Sequence, residues 1–268
     1  MRMPITCLTL ALAMTGASAV QPLPELASVI SMPGVKGRID HFAVDPRNHR
    51  VFVAALGNDT VEVLDTARGR RSTISGLGEP QGVLYLADSN RLFIANGGAG
   101  RVDVVDGDSL RVLGRVGHAD DADNIRYDSA GRKVLVGYGN GALRIIDAAS
   151  GESVGDIRLP GHPESFQPEA GGPRVFVNVP SDRSVVVVDR LTRETLARWE
   201  TGGASANFPM ALDEKGRRLF VGARSPATLL VYDIDSGKRI ASLAIGRDTD
   251  DIFFDAERGR LYVICGEG

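Results

Sequence analysis

The dominant pattern along the chain is a three-residue apolar core that returns at a nearly fixed interval. It reads Val51-Phe52-Val53, Leu92-Phe93-Ile94, Val134-Leu135-Val136, Val175-Phe176-Val177, Leu219-Phe220-Val221 and Leu261-Tyr262-Val263. Successive central residues are 41, 42, 41, 44 and 42 positions apart. After each of the first five, 12 or 13 residues on, an alternating apolar run closes on an aspartate: Asp65, Asp106, Asp147, Asp189 and Asp233. Alternation at period two predicts strands with one face buried. In the second unit four such segments are legible, at 82–86, 91–95, 101–105 and 112–116. Gly57-Asn58-Asp59, Gly97-Gly98, Gly139-Asn140-Gly141 and Ser181-Asp182 lie between the second and third segments. They are read as hairpin turns, where two-residue loops need positive φ. The five aspartates fall where the third strand turns into the fourth. A carboxylate there can accept the backbone N–H two residues on, so these residues are read as structural.

Four antiparallel strands in every 41–44 residues predict an all-β chain, a β-propeller built of four-stranded blades. One such sheet cannot bury both faces, so each must stack on its neighbours. A sandwich would impose no fixed period on every fourth strand. Phe93-Ile94-Ala95-Asn96, on a second strand, resembles the tetrapeptide of the YVTN repeat family, and Val102-Asp103-Val104-Val105-Asp106 resembles its later Val-x-Val-x-Asp pattern. The resemblance spans residues 26–268, although other units depart from the tetrapeptide, as in Val177-Asn178-Val179. It implies a bacterial, exported propeller of the seven-bladed type and specifies no activity. Five units are complete and the sixth stops after its second strand, which leads us to expect a ring truncated at the C-terminus. Residues 26–32 are expected to supply an outermost strand that closes a blade. A full ring would leave the protein monomeric.

Composition agrees with an ordered, turn-rich β protein: 43 % apolar residues and 32 glycines exclude a disordered tail or a coiled coil. Lys+Arg 31 against Asp+Glu 34 leaves a net charge of −3, without the basic excess of a nucleic-acid binder. Residues 1–19 read as a signal peptide. Arg2 starts it, a short apolar run follows from Ile5 to Met14, and Ala17-Ser18-Ala19 offers the cleavage site. That run falls short of the ~20 apolar residues a transmembrane helix needs. Removal leaves residues 20–268 as one propeller domain in the periplasm or outside the cell. Its lone thiol, Cys265, cannot form an intramolecular disulfide.

Candidate chemistry lies in one column, twelve residues upstream of each central apolar residue: Asp40, Gln81, Asp123, Glu164, Phe208 and Asp250. The next column reads His41, Gly82, Asn124, Ser165, Pro209 and Asp251. These positions start the innermost strands and should ring one mouth of a central channel. Asp40, Gln81, Asp123, Asn124, Glu164, Asn207, Asp250 and Asp251 are therefore the candidate ligand-binding residues for a small polar molecule, a peptide or a protein partner. The competing reading is a water-filled funnel with a solvated acidic rim. Asp40, Asp123, Glu164 and Asp250 could hold Ca²⁺ or Mg²⁺, since carboxylate oxygens are hard ligands. A rim of this kind is similar to that of β-propeller lactone hydrolases, which gives the alternative reading of a metal-assisted hydrolase. His41 or His162 would then act as general base. His118 is expected at the same mouth and His49 at the opposite end. Arg126 and Arg144 are candidates for an anion, against the alternative that they cover apolar surface. There is no His-Glu-x-x-His and no phosphate loop. Expressed with its leader in a bacterium, the protein should be recovered outside the cytoplasm with Val20 at its N-terminus, as read by intact mass; retention of residues 1–19 would refute the leader.

Overall fold

The computed structural model describes residues 25–267, so the expected leader at 1–19 lies outside the described residues. The first sheet is a four-stranded antiparallel meander of Phe42–Asp45 (β1), Arg50–Ala55 (β2), Thr60–Asp65 (β3) and Arg70–Ile74 (β4). Four more sheets repeat it at 80–116, 125–158, 166–200 and 205–244, and a two-stranded sixth spans 247–267. The repeat read from the sequence is therefore the blade. Its register is also common: Phe52 faces Val63, Phe93 faces Val104, Leu135 faces Ile145, Phe176 faces Val187, and Phe220 faces Val231. No helix among the described residues is long and apolar enough to cross a membrane.

The core lies between blades rather than within them. Phe52, Ala54 and Val61 of the first blade pack with Val83, Leu92 and Ile94 of the second. Equivalent clusters join the second to the third, the third to the fourth, the fourth to the fifth and the fifth to the sixth. Alternation explains this directly. Successive side chains of a strand point to opposite faces, and each apolar face between two blades is covered by the next sheet, whereas Phe42 and Val44 of the first sheet and Phe253 and Ile264 of the sixth stay exposed.

Polar contacts tie the same neighbours at the rim. Arg50, the first residue of β2, donates to the Gly107 carbonyl in the turn of the following blade. Arg91 reaches the Ala148 and Ala149 carbonyls in the same way, and Arg174 reaches the Ile234 carbonyl. Glu214 accepts from the Ala170 N–H at 2.9 Å, tying the fifth blade to the fourth.

The five repeated aspartates hold their turns as expected. Asp65 accepts from the Ala67 and Arg68 N–H groups at 3.1 and 2.9 Å, and Asp189 accepts from Leu191 and Thr192 at 2.7 and 3.0 Å. Asp106, Asp147 and Asp233 act alike. A second set, unforeseen from sequence, closes the turn between first and second strands: Asp45, Asp128, Asp213 and Asp255 accept from N–H groups two or three residues on.

Two expectations are corrected. In the first four blades the loops between second and third strands are longer than two residues, and the positive φ falls on Asp59, Gly100, Gly139, Gly141 and Arg183. Gly97 and Gly98 are small for a different reason. A Cβ on Gly97 would lie 2.3 Å from the Gln81 amide nitrogen, and one on Gly98 would lie 2.7 Å from the Glu79 carboxylate. Residues 26–32 form no strand, and Leu26 and Val29 are exposed. Their expected place is beside a third strand, and the sixth sheet has only two.

Truncating Phe176, which is fully buried in the cluster between the fourth and fifth blades, should cost about 3–5 kcal/mol by urea denaturation. Asp189→Ala, which removes only a turn acceptor, should cost about 1 kcal/mol. Similar losses for the two variants would contradict a fold held chiefly by packing between blades.

Candidate functional site

In the first, third and fourth blades the two residues that precede the innermost strand are fixed by the same backbone pair. The Asp40 N–H donates to the Ala54 carbonyl, and the Ala54 N–H donates to the His41 carbonyl. Asp123 and Asn124 pair in this way with Gly137, and Glu164 and Ser165 pair with Asn178. The recurring brace turns equivalent side chains toward one axis. They line a cavity of about 1040 Å³ to which all six sheets contribute.

Asp40, His41, Gln81, Asp123, Asn124, His162, Glu164, Asp250 and Asp251 all line this cavity. Three candidates do not. Asn207 is fully buried behind it, donating to the Asn178 side-chain oxygen at 3.2 Å and the Ser184 carbonyl at 3.0 Å. Asn178 in turn donates to the Phe208 and Pro209 carbonyls, so the two amides lock the fourth blade to the fifth. His118 is exposed outside the cavity, and its carbonyl accepts from Arg144 at 3.0 Å. Arg144 is spent on that carbonyl, the Gly117 carbonyl, Asp156 and the Tyr138 hydroxyl. His49 lies in a separate surface concavity with Arg47 and Arg68, as expected for the other end.

The four carboxylates expected around one cation do not converge. The close group is Asp40, His41 and Asp123, whose ligand atoms all lie within 4.8 Å of one another. His41 Nε2 is 3.7 Å from an oxygen of each aspartate and 3.2 Å from the Asn124 amide. Asp250 is drawn away by an ion pair with Arg224, whose guanidinium also stacks 4.6 Å from the Phe208 ring centre. Glu164 stays on the wall outside the close group. The physical reason is radial geometry: equivalent positions on successive blades form a ring, and a ring need not meet at a point.

Gly82 explains why the first and third blades meet at all. It occupies the column of His41 and Asn124, and a Cβ there would sit 2.1 Å from the Asp123 carbonyl oxygen. Without a side chain, the second blade lets Asp123 and Asn124 approach His41.

The cavity is strongly polar and unevenly neutralised. Burial, partly offset by His41, raises the Asp40 carboxyl, and the Asp123 charge raises it further. Burial also raises Glu164, with Asp123 adding to it. For His41, burial and the Arg126 charge push the imidazole down, but its contacts with Asp123 and Asp40 outweigh them and leave it raised. His162, on the cavity wall, donates from Nδ1 to the Gly139 carbonyl at 2.6 Å, with Asp121 Oδ2 3.5 Å from the same nitrogen. Among the described residues Arg126 has only the adjacent Ile125 carbonyl as a hydrogen-bond acceptor, at 2.8 Å. Burial depresses its guanidinium, and the charges of Asp251 and Asp123 offset this only in part.

Several buried polar atoms at this mouth have no hydrogen-bond partner among the described residues: Asp40 Oδ2, Asn124 Oδ1 and Ser165 Oγ. Asp40 Oδ2 does lie 3.0 Å from Arg38, an ion contact without hydrogen-bond alignment. Arg38, Ser165 and Arg224 are lining residues that sequence reasoning had not selected. Ser165 stood in the second column and could have been chosen from it. Arg224 sits at the end of a second strand, where no column pointed.

No family model matches the chain, and neither does any curated protein. Among solved structures it is similar to a chain in the crystal structure of the mitotic checkpoint complex, with a TM-score of 0.72 over 93 % of this chain and 79 % of that one. Sequence identity is 16 %, so the likeness concerns fold alone. The fold is a β-propeller. That neighbour is a WD40 propeller, and the shared feature is the ring of four-stranded blades.

Glu164 yields a test with a definite sign. A carboxyl raised in the folded state binds its proton more tightly there, so its ionisation weakens the fold as pH rises through the raised value. Glu164→Gln should therefore melt ~1–2 °C above wild type at pH 8 and match it below about pH 4. A lower melting temperature at pH 8 would show that the charge is stabilised in place.

Proposed function

We propose that this protein is an exported propeller of the YVTN type that binds a small polar ligand at the mouth of its central channel. One observation carries the reading: buried polar atoms without hydrogen-bond partners among the described residues, Asn124 Oδ1 and Ser165 Oγ foremost, gather on a single cavity, beside an arginine whose only acceptor among those residues is its neighbour's carbonyl. Buried polar groups are otherwise paired almost without exception, and leaving one unpaired costs about 1–3 kcal/mol. A ligand that supplied an acidic oxygen to Arg126 and hydroxyl or amino groups to Asn124, Ser165 and Asp40 would satisfy them together. Propellers commonly serve as binding platforms, and the partner-rich setting of the structural neighbour agrees with this in kind.

The hydrolytic alternative has less support. It asks Asp40, Asp123, Glu164 and Asp250 to share one hard cation while His41 or His162 moves a proton. Asp250 is committed to Arg224. His162 could accept a proton at Nε2, but it belongs to a different sector of the wall from the close acidic group.

Export would place the funnel in contact with solutes from outside the cytoplasm. A thermal-shift screen of amino acids, hydroxy acids and sugar acids should find a compound that raises the melting temperature. At ~100 times its dissociation constant the shift should be about 5–10 °C. Arg126→Gln and Asn124→Ala should each abolish most of it. A screen without a responder, together with native mass spectra free of co-purifying ligand, would count against the reading.

A further inference from the structure

We propose that Asp40, His41 and Asp123, with Asn124 beside them, form a binding site for one divalent transition-metal ion of the Mn²⁺, Co²⁺ or Zn²⁺ class. The site would lie on the funnel wall where the first and third blades meet over Gly82. It shares Asp40 and Asn124 with the polar-ligand reading, and ion binding is measured without any such ligand.

The geometry points to a cation rather than to a hydrogen-bonded cluster. His41 Nε2 is 3.7 Å from an oxygen of Asp40 and 3.7 Å from an oxygen of Asp123. Both separations are too long for hydrogen bonds. They are close to the spacing between two ligands of one ion: bonds of roughly 2.0–2.2 Å give a tetrahedral edge of roughly 3.3–3.6 Å. All three donor atoms lie within 4.8 Å of one another. Asp40 and His41 are consecutive residues of the first blade, and Asp123 reaches them from the third, so the arrival of the third donor is a tertiary feature.

Asn124 supplies an independent observation. It is only 5 % exposed, and its side-chain oxygen has no partner. Its amide nitrogen sits 3.2 Å from His41 Nε2. Exchanging the amide oxygen and nitrogen would bring the oxygen to His41 and leave the nitrogen unpaired instead, so one buried polar atom is orphaned in either orientation. The oxygen is placed to serve as a further ligand or to hold a metal-bound water. Asp40 has a side chain only 10 % exposed, with Oδ2 in the ion contact to Arg38 at 3.0 Å and Oδ1 facing His41 Nε2.

The charge around the site permits a cation. Seven carboxylates line the cavity against three arginines, and of those three Arg38 and Arg224 are already paired. Arg126 is the opposing charge closest in effect, since it lowers His41. It is itself balanced by Asp251 and Asp123. The donor set also discriminates between ions. Ca²⁺ and Mg²⁺ take oxygen ligands almost alone, whereas one imidazole with two carboxylates suits Mn²⁺, Co²⁺ or Zn²⁺. The expectation of a hard ion held by four carboxylates is thereby replaced by a softer ion on a smaller group.

The test uses the whole protein stripped with chelator and titrated by calorimetry with Co²⁺, Zn²⁺, Mn²⁺, Ca²⁺ and Mg²⁺ separately. One equivalent of at least one of the first three should bind with a dissociation constant at or below about 10 μM. Ca²⁺ and Mg²⁺ should bind at least tenfold more weakly, by roughly one order of magnitude or more. With Co²⁺, visible absorption should change on binding as the ion leaves its hexa-aqua geometry, and loss of that change in folded His41→Ala would assign the imidazole as a ligand. His41→Ala and Asp123→Asn should weaken binding by roughly 100-fold or more. Glu164→Gln should leave it within about twofold, because Glu164 lies outside the close group. Circular dichroism melts establish that each variant is folded, and Asp40→Asn provides a second ligand deletion if His41→Ala is not. No stoichiometric binding, equal affinity for Ca²⁺, or undiminished affinity in folded His41→Ala would each overturn the proposal.

Discussion

Each inner sheet of this protein is apolar on both faces, and both are buried against neighbouring sheets. Phe93 and Leu92 lie side by side on one strand and both are fully buried, yet they belong to different clusters on opposite sides of the blade. Burying an aliphatic or aromatic side chain is worth about 1.5–3 kcal/mol. Adjacent blades are thus bound to one another more strongly than any rim contact could achieve. Ring stacking is the solution that gives every inner sheet two neighbours, and the rest of the architecture follows from it.

Stacking also makes a wall. Once blades stand radially, the first residues of their innermost strands must crowd around an axis. There the backbone braces at Ala54, Gly137 and Asn178 aim side chains inward. The apolar constraint that builds the ring is absent at that end, and polar groups collect there in numbers a core would not tolerate. Asp40 and Glu164 are raised by burial, and the nearby charge of Asp123 adds to both. Such mutual cost persists where a ligand or ion can relieve it. Arg126, with little but its neighbour's carbonyl, is the same situation in the opposite sign.

The rim arginines show how the two regions are kept apart. Arg50, Arg91 and Arg174 sit at the far end of the second strands, and each is consumed by carbonyls of the next blade. Arg174 is also paired with Glu169 at 2.7 Å. Positive charge at that end is structural. At the channel mouth, by contrast, the carboxylates outnumber the arginines that could neutralise them.

The spacing of Phe52, Phe93, Leu135, Phe176, Phe220 and Tyr262 was enough to determine the blade and its four strands, because apolar periodicity is a local consequence of burying strand faces. The turn aspartates were legible for the same reason: Asp65 and Asp189 act on N–H groups only two or three residues away. The column from Asp40 to Asp250 was legible as a set, since a common register carries equivalent positions to one end of the ring. Which members touch was not. That Asp250 turns to Arg224, that Asn207 disappears behind the wall to hold Asn178, and that Gly82 lets Asp123 reach His41 all depend on distances between blades. Contacts across a ring are set by radius and by the size of the side chain in the gap. Period and composition carry neither quantity, so only the tertiary structure could decide them.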